Sequence, residues 1–151
     1  MILILEGPDG SGKSTLAKQL AASTGYKIIH FSKPETEEEK ENMFSMYEDV
    51  LIWNRHAILD RCWYSEMVYG EVMRGGSRIS THQMYALEDM MAGALLIYCT
   101  GPRNTLWDRC KKRGEEYITS WRTFNEICDG YDMFMRMPHK IPVVTYEYKN
   151  V

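Results

Sequence analysis

The segment Gly7-Pro8-Asp9-Gly10-Ser11-Gly12-Lys13-Ser14-Thr15 satisfies the G-x-x-x-x-G-K-[ST] spacing. Each residue type has a physical task there. Gly10 and Gly12 let the backbone close around phosphate oxygens, which a side chain would obstruct. Their amides, with those of Ser11 to Thr15, point at an anion, and the start of the following helix adds positive potential. Lys13 reaches the β- and γ-phosphates, and the Ser14 hydroxyl ligates magnesium. The expected ligand is a nucleoside triphosphate, ATP, with Mg²⁺.

A second group of reactive types closes the apolar run Ala57-Ile58-Leu59-Asp60-Arg61. Ligands of open α/β sheets sit at the carboxyl ends of the strands. Asp60 is therefore expected to face the phosphate loop and hold the metal, directly or through water. Arg61 follows it and offers a planar fork to an acceptor phosphate. A helix N-cap aspartate beside a solvated arginine is the competing reading.

These residues need a scaffold. Apolar runs at Met1 to Leu5, Lys27 to Phe31, Ala57 to Asp60, Ala94 to Cys99 and Pro142 to Tyr146 read as strands buried on both faces. Between them, Ser14 to Ser23, Glu37 to Trp53 and Thr119 to Met137 carry apolar residues at helical spacing. Alternating strands and helices predict an α/β fold, a five-stranded parallel sheet with helices on both faces. Gly25 is expected to end the first helix, Gly75-Gly76 to punctuate a long segment, and Gly114 to hinge a mobile loop. With 151 residues the chain reads as one domain, 1–151, with a small lid near 109–120.

Composition narrows the partners. The 18 basic and 21 acidic side chains leave a formal net charge of −3, without the basic excess common in duplex-DNA binders. Cys62, Cys99, Cys110 and Cys128 have neither disulfide nor zinc spacing and read as free thiols. No apolar run approaches membrane-spanning length, and Met1 to Leu5 is too short for a signal peptide. The expected location is cytoplasmic.

With these residues in view, the chain resembles the thymidylate kinase family, with the deoxynucleoside kinases as more distant relatives. The likeness lies in Leu5-Glu6-Gly7-Pro8-Asp9-Gly10-Ser11-Gly12-Lys13-Ser14 and in Asp60-Arg61 with Ser65 and Tyr69, against the family's D-R-Y-x-x-S-x-x-A-Y-Q. It continues in Leu96-Ile97-Tyr98-Cys99, in Arg109-Cys110-Lys111-Lys112-Arg113-Gly114, and in Phe124, Gly130 and Tyr131. The resemblance implies that Asp9 accepts a hydrogen bond from the acceptor's 3′-hydroxyl and that Arg61 holds the acceptor phosphate. It also implies that Tyr69 packs under a deoxyribose, and that Arg109 and Arg113 close over the donor. A homodimer and a phage-type compact member are further implications. The chain departs from the pattern at Cys62, Val68 and Gly70, and Phe31-Ser32-Lys33-Pro34 replaces T-R-E-P-G-G. Lys33 then stands in as the cation near the acceptor, and thymine is the default base.

Two acceptor chemistries follow. A phosphate acceptor is already ionised, so positioning and charge neutralisation by Lys13, Arg61, Arg109 and Arg113 suffice. A hydroxyl acceptor, whether a deoxynucleoside or 5-hydroxymethyluracil in DNA, requires a carboxylate base, and Asp60 and Asp9 are the candidates. A nucleotide-binding switch without turnover is the reading from another class, and the basic lid weighs against it. The tryptophans more often fill core volume than meet a ligand; among the aromatics, Phe31, Trp63 and Tyr64 are the best placed to stack on a base.

Overall fold

The computed structural model describes residues 1–114 and 118–148. Five parallel strands form one sheet: β1 (Ile2–Glu6), β2 (Lys27–His30), β3 (Ala57–Asp60), β4 (Leu95–Thr100) and β5 (Val143–Glu147), in the order β2-β3-β1-β4-β5. The helices are α1 (Lys13–Thr24), α2 (Glu37–Glu41), α3 (Met43–Trp53), α4 (Trp63–Arg74), α5 (Thr81–Asp89), α6 (Arg103–Lys112) and α7 (Trp121–Arg136). The fold is the α/β arrangement expected from the sequence.

Side-chain alternation along β1 divides the core. Ile2 and Ile4 pack with Met43, Tyr47, Trp63, Tyr64 and Leu87 on one face. Leu3 and Leu5 pack with Ala17, Ile58, Ile97 and Cys99 on the other. A third cluster joins Val68 of α4 to Leu106 of α6 and to Phe124, Ile127 and Tyr131 of α7. Because β1 pairs with β3 on one side and β4 on the other, chain order reverses there. That switch point opens a crevice at the carboxyl end of β1, where the phosphate loop begins.

Three expectations change. Glu37 to Trp53 is two helices, interrupted at Asn42 (φ −100°, ψ 16°), a residue whose side chain competes for backbone bonds. β2 and β5 are edge strands and much less buried than β1, β3 and β4, so an apolar run did not mean burial on both faces. Helices α4, α5 and α6 add structure where only punctuation was read. Gly25 and Gly75 do end α1 and α4 in the left-handed region, at φ 75° and 74°. Of the expected lid near 109–120, residues 109–112 belong to α6, and 115–117 lie outside the described residues. All four cysteines are free and buried. Among the described residues, no helix is long and apolar enough to cross a membrane.

Candidate active site

The phosphate loop runs from β1 into α1. Gly10 and Gly12 adopt φ 81° and 84°. A Cβ on Gly10 would lie 2.5 Å from the Leu106 carbonyl oxygen, so the loop tolerates no side chain there. Helix α1 has no side-chain N-cap and no acidic residue in its first turn. Its first amides are thus left for an anion. Lys13 is buried at 7% exposure, its Nζ donating to the Pro8 carbonyl at 2.9 Å and to Ser11 Oγ at 3.2 Å. Burial, followed by the nearby Arg61 charge, brings its pKa down to about 8.

A cleft of about 310 Å³ lies over this loop, lined among others by Lys13, Ser14, Asp60, Arg61 and Arg113. Asp60 ends β3 with its carboxylate in contact with His30 Nδ1 at 3.4 Å. Ser14 and Asp60 bring a hydroxyl and a carboxylate to the same space, a hard-oxygen set that fits magnesium. Among the described residues no group of three or more His, Cys, Asp or Glu could hold a metal.

Arg61 is the hub of the site. It is the one non-glycine residue with positive φ (69°) among the described residues. Its Nη2 donates to Asp9 Oδ1 at 2.6 Å and to the Tyr69 hydroxyl at 3.3 Å. Its Nη1 donates to Ser65 Oγ and to the Tyr131 hydroxyl, each at 3.0 Å. Burial alone would lower its pKa, but the surrounding oxygens of Tyr69, Tyr131, Asp9 and Glu6 outweigh it and the net direction is up. The guanidinium stays charged.

A second pocket, of about 420 Å³, adjoins the first and shares Phe31 and Arg61 with it. Lys33, Ser65 and Tyr69 also line it, with Met43, Tyr47 and Met73 among its apolar lining. Glu66, Arg74 and Arg78 line it as well. The Glu66 side chain is 9% exposed. Its Oε1 accepts from Arg74 Nη2 and, at 2.9 Å, from the Arg78 amide, with Arg78 Nη1 at 4.0 Å. Its Oε2 has no hydrogen-bond partner among the described residues.

The structure gathers Asp9, Lys13, Ser14, Phe31, Asp60, Arg61 and Arg113 around the first cleft, and Lys33, Ser65 and Tyr69 around the second. Arg109 stands apart from that lining: its Nε donates to the Gly10 carbonyl at 2.8 Å, and its guanidinium lies 4.2 Å from the centre of the Tyr148 ring. Trp63 is a correction. It is 0% exposed, packed edge-on against Tyr47 at 5.4 Å, and helix α4 turns it into the core rather than toward a base. Tyr64 is likewise fully buried, against Glu88 and His139.

Sequence reasoning missed Glu6, Tyr131 as a polar contact, Tyr47, and the Glu66–Arg74–Arg78 group. A signal existed for Glu6, a carboxylate abutting an otherwise unbroken buried run. The acid-base spacing of Glu66 and Arg74, two helical turns apart on α4, was a weaker one.

The family model for the ATPase family associated with various cellular activities (AAA) matches residues 3–70, the span from β1 through the phosphate loop into α4. The chain is 31% identical over 118 residues to the SPbeta prophage-derived uncharacterized protein YorR of Bacillus subtilis (strain 168), covering 78% of this chain and 72% of that protein. The crystal structure of YorR in complex with phosphorylated GDP matches with TM-score 0.79 at 29% identity, over 98% of this chain and 85% of that one. Deoxyadenosine kinase from M. mycoides with bound dATP matches with TM-score 0.67 at 16% identity, over 97% and 91% of the two chains. With bound dCTP it matches with TM-score 0.62 at 19% identity, over 97% and 90%, a likeness of fold. The phosphate loop and these matches together make the architecture that of a P-loop nucleotide-binding, kinase-like protein.

Proposed function

Because this chain belongs to the family of the prophage-derived YorR protein, we propose that it is a magnesium-dependent kinase. It transfers the γ-phosphoryl group of ATP to a deoxynucleoside monophosphate seated in the pocket beside Phe31. The observation that carries this reading is that the two cavities meet at Arg61, one bounded by the phosphate loop, the other lined by Phe31, Met43, Tyr47 and Met73 together with Glu66, Arg74 and Arg78.

The donor's phosphates lie along the loop amides, with Lys13 bridging the β- and γ-oxygens. Ser14 and Asp60, the latter directly or through water, would hold magnesium, which would supply positive charge against that developing on the phosphates. Arg61 grips the acceptor phosphate from between the cavities, and Lys33 adds a cation on the pocket side. Arg113 faces the same cleft from the end of α6. A phosphate acceptor needs no base, and the segment after β2 presents Lys33 rather than a carboxylate to the pocket. The second reading is a hydroxyl acceptor, a deoxynucleoside or 5-hydroxymethyluracil in DNA. Asp60 supports it, being a carboxylate at the lip of the phosphate cleft that could take the proton.

Thymine was the default base; the side chains lining the pocket support an amino-bearing base in this reading. Glu66 offers an open carboxylate oxygen beside the guanidinium of Arg78. A carboxylate accepts from an exocyclic amino group, while a guanidinium donates to ring nitrogen or carbonyl oxygen. Guanine presents both, as adenine and cytosine do, and the guanine nucleotide bound to YorR favours guanine among them. Thymine has no exocyclic amino group and offers the anion only one imide N–H, flanked by two carbonyl oxygens. Glu66→Gln is expected to lower kcat/KM for deoxyguanylate about tenfold, the loss of a hydrogen bond to a charged group, while activity on thymidylate holds or rises. Steady-state kinetics with the two monophosphates checks this. An unchanged ratio removes Glu66 from base reading.

The test of the function itself is ATP consumption in the presence of each deoxynucleoside, each monophosphate, and DNA carrying 5-hydroxymethyluracil. Turnover of a monophosphate supports the main reading. Turnover of nucleosides or modified DNA alone transfers the role of base to Asp60. ATP binding with no accepted substrate leaves a nucleotide-binding switch.

A further inference from the structure

Glu6 is a carboxylate at 0% exposure, and among the described residues no lysine or arginine forms an ion pair with it. It receives the Cys62 amide at 2.7 Å and the Ser65 amide at 3.1 Å on Oε1, and the Ser65 and Tyr131 hydroxyls at 2.7 and 2.8 Å on Oε2. The two amides belong to the start of α4, where no local side chain caps the helix. A neutral Ser or Asn would cap it without the cost of burying a charge. What a neutral cap lacks is a counter-charge.

The hydroxyls show where that charge acts. Ser65 and Tyr131 each own one proton, and each gives it to Glu6. Their lone pairs then face Arg61 Nη1, which donates to both at 3.0 Å. Glu6 is thereby linked to Arg61 through two hydroxyls without touching it. The opposite edge of the guanidinium is different. Nη2 holds Asp9, which borders the phosphate cleft, and Tyr69, which borders the acceptor pocket. Backbone bonds complete the clamp. The Arg61 amide donates to the Leu5 carbonyl at 3.0 Å, and Glu6 holds the next amide along, across a residue in the left-handed region.

We infer that Glu6 is a positioning residue for Arg61. It anchors the Nη1 edge through Ser65 and Tyr131, so that the Nη2 edge can exchange Asp9 for the acceptor without the guanidinium losing its place or its compensating charge. The inference rests on the proposal that Arg61 grips the acceptor.

Glu6→Gln risks the folding of the helix start, so the leading variant is Tyr131→Phe, which keeps the ring and removes one relay hydroxyl. It is expected to raise the acceptor KM about tenfold, the loss of one hydrogen bond to a charged group, with the donor KM unchanged. In an Arg61→Ala background the same substitution changes acceptor kinetics by less than about twofold, because the partner it acts through is gone. Additive losses, or an equal rise in the donor KM, overturn the inference. A second measurement needs no acceptor. In ¹⁵N spectra of the ligand-free protein, the Arg61 Nη1 protons should be resolved and slowly exchanging in the parent, and averaged by rotation in Tyr131→Phe. Identical Arg61 spectra overturn the inference whatever the substrate. If the parent turns over no acceptor while the spectra change as expected, the kinase proposal fails and the anchoring stands.

Discussion

Lys13→Met is expected to lower turnover by at least about 10²–10³-fold, the range for removing one preorganised donor from developing charge, while the protein stays folded. The phosphate loop places Lys13 at 7% exposure with only neutral oxygens, those of Pro8 and Ser11, as direct partners among the described residues. Burial is the main reason its pKa falls to about 8, so the ligand-free site holds an ammonium poorly compensated for lost water. A triphosphate supplies the missing anion, and that differential charge is what the lysine contributes to transfer. The same reasoning fixes the sign for stability. The folded pKa of about 8 lies below the ordinary 10.5, so the native state binds fewer protons than the unfolded one between those values. Lys13 therefore penalises folding at neutral pH, and the penalty eases as pH rises past 8. Methionine removes the penalty, so the variant should melt no lower than the parent at pH 7. Activity assays and thermal melts on one preparation test both halves. Retained turnover sinks the mechanism, and a large drop in melting temperature sinks the account of the buried ammonium.

How far the site could be read in advance depended on distance along the chain. Gly10, Gly12, Lys13 and Ser14 act through neighbouring backbone, so their spacing carried their geometry. Asp60 and Arg61 followed from the rule that ligands gather at strand ends, and both do line the cleft over the phosphate loop. Arg61 illustrates the limit. Its partners Asp9 and Tyr131 lie 52 and 70 residues away, and nothing local says that α7 will bring a tyrosine hydroxyl beneath it. Trp63 shows the same limit from the other side. Its nearness to Arg61 in sequence suggested a shared pocket, but Arg61 precedes α4 in the left-handed region, while Trp63, the first residue of that helix, is packed into the core against Tyr47. The edge strands β2 and β5 were apolar enough to read as central. Only the order of pairing, which depends on how the helices cross over, set them at the margins.

Away from the nucleotide clefts, His139→Ala is expected to destabilise the protein by about 3–5 kcal/mol near pH 6, the usual cost of stranding one member of a buried ion pair. His139 Nδ1 meets Glu88 Oε2 at 2.7 Å and Nε2 meets the Phe134 carbonyl at 2.7 Å, with the two side chains 1% and 0% exposed. Both partners are acceptors, so both ring nitrogens must carry hydrogen and the ring is an imidazolium. Glu88 also accepts the Tyr64 hydroxyl at 2.5 Å and the Lys140 amide at 2.7 Å, joining α4, α5 and the approach to β5. Burial opposes both charges. For His139 the hydrogen bonds to Glu88 and Phe134 outweigh it and the pKa rises above 6.5. For Glu88 those from His139, Tyr64 and Lys140 outweigh it and the pKa falls below 4.5. The raised histidine gives stability that is complete below 6.5 and fades as pH climbs through the folded value. The lowered glutamate gives stability present above 4.5 that fades as pH falls through its own. Between the two limbs the pair is fully formed. Lys13 acts with the opposite sign on the alkaline side, so the quantity to follow is the parent-minus-variant difference, from which that contribution cancels. Urea melts from pH 5 to pH 9 should show the difference largest near pH 6 and shrinking toward pH 9. A difference independent of pH would mean that the ring is neutral and that its loss is one of packing alone.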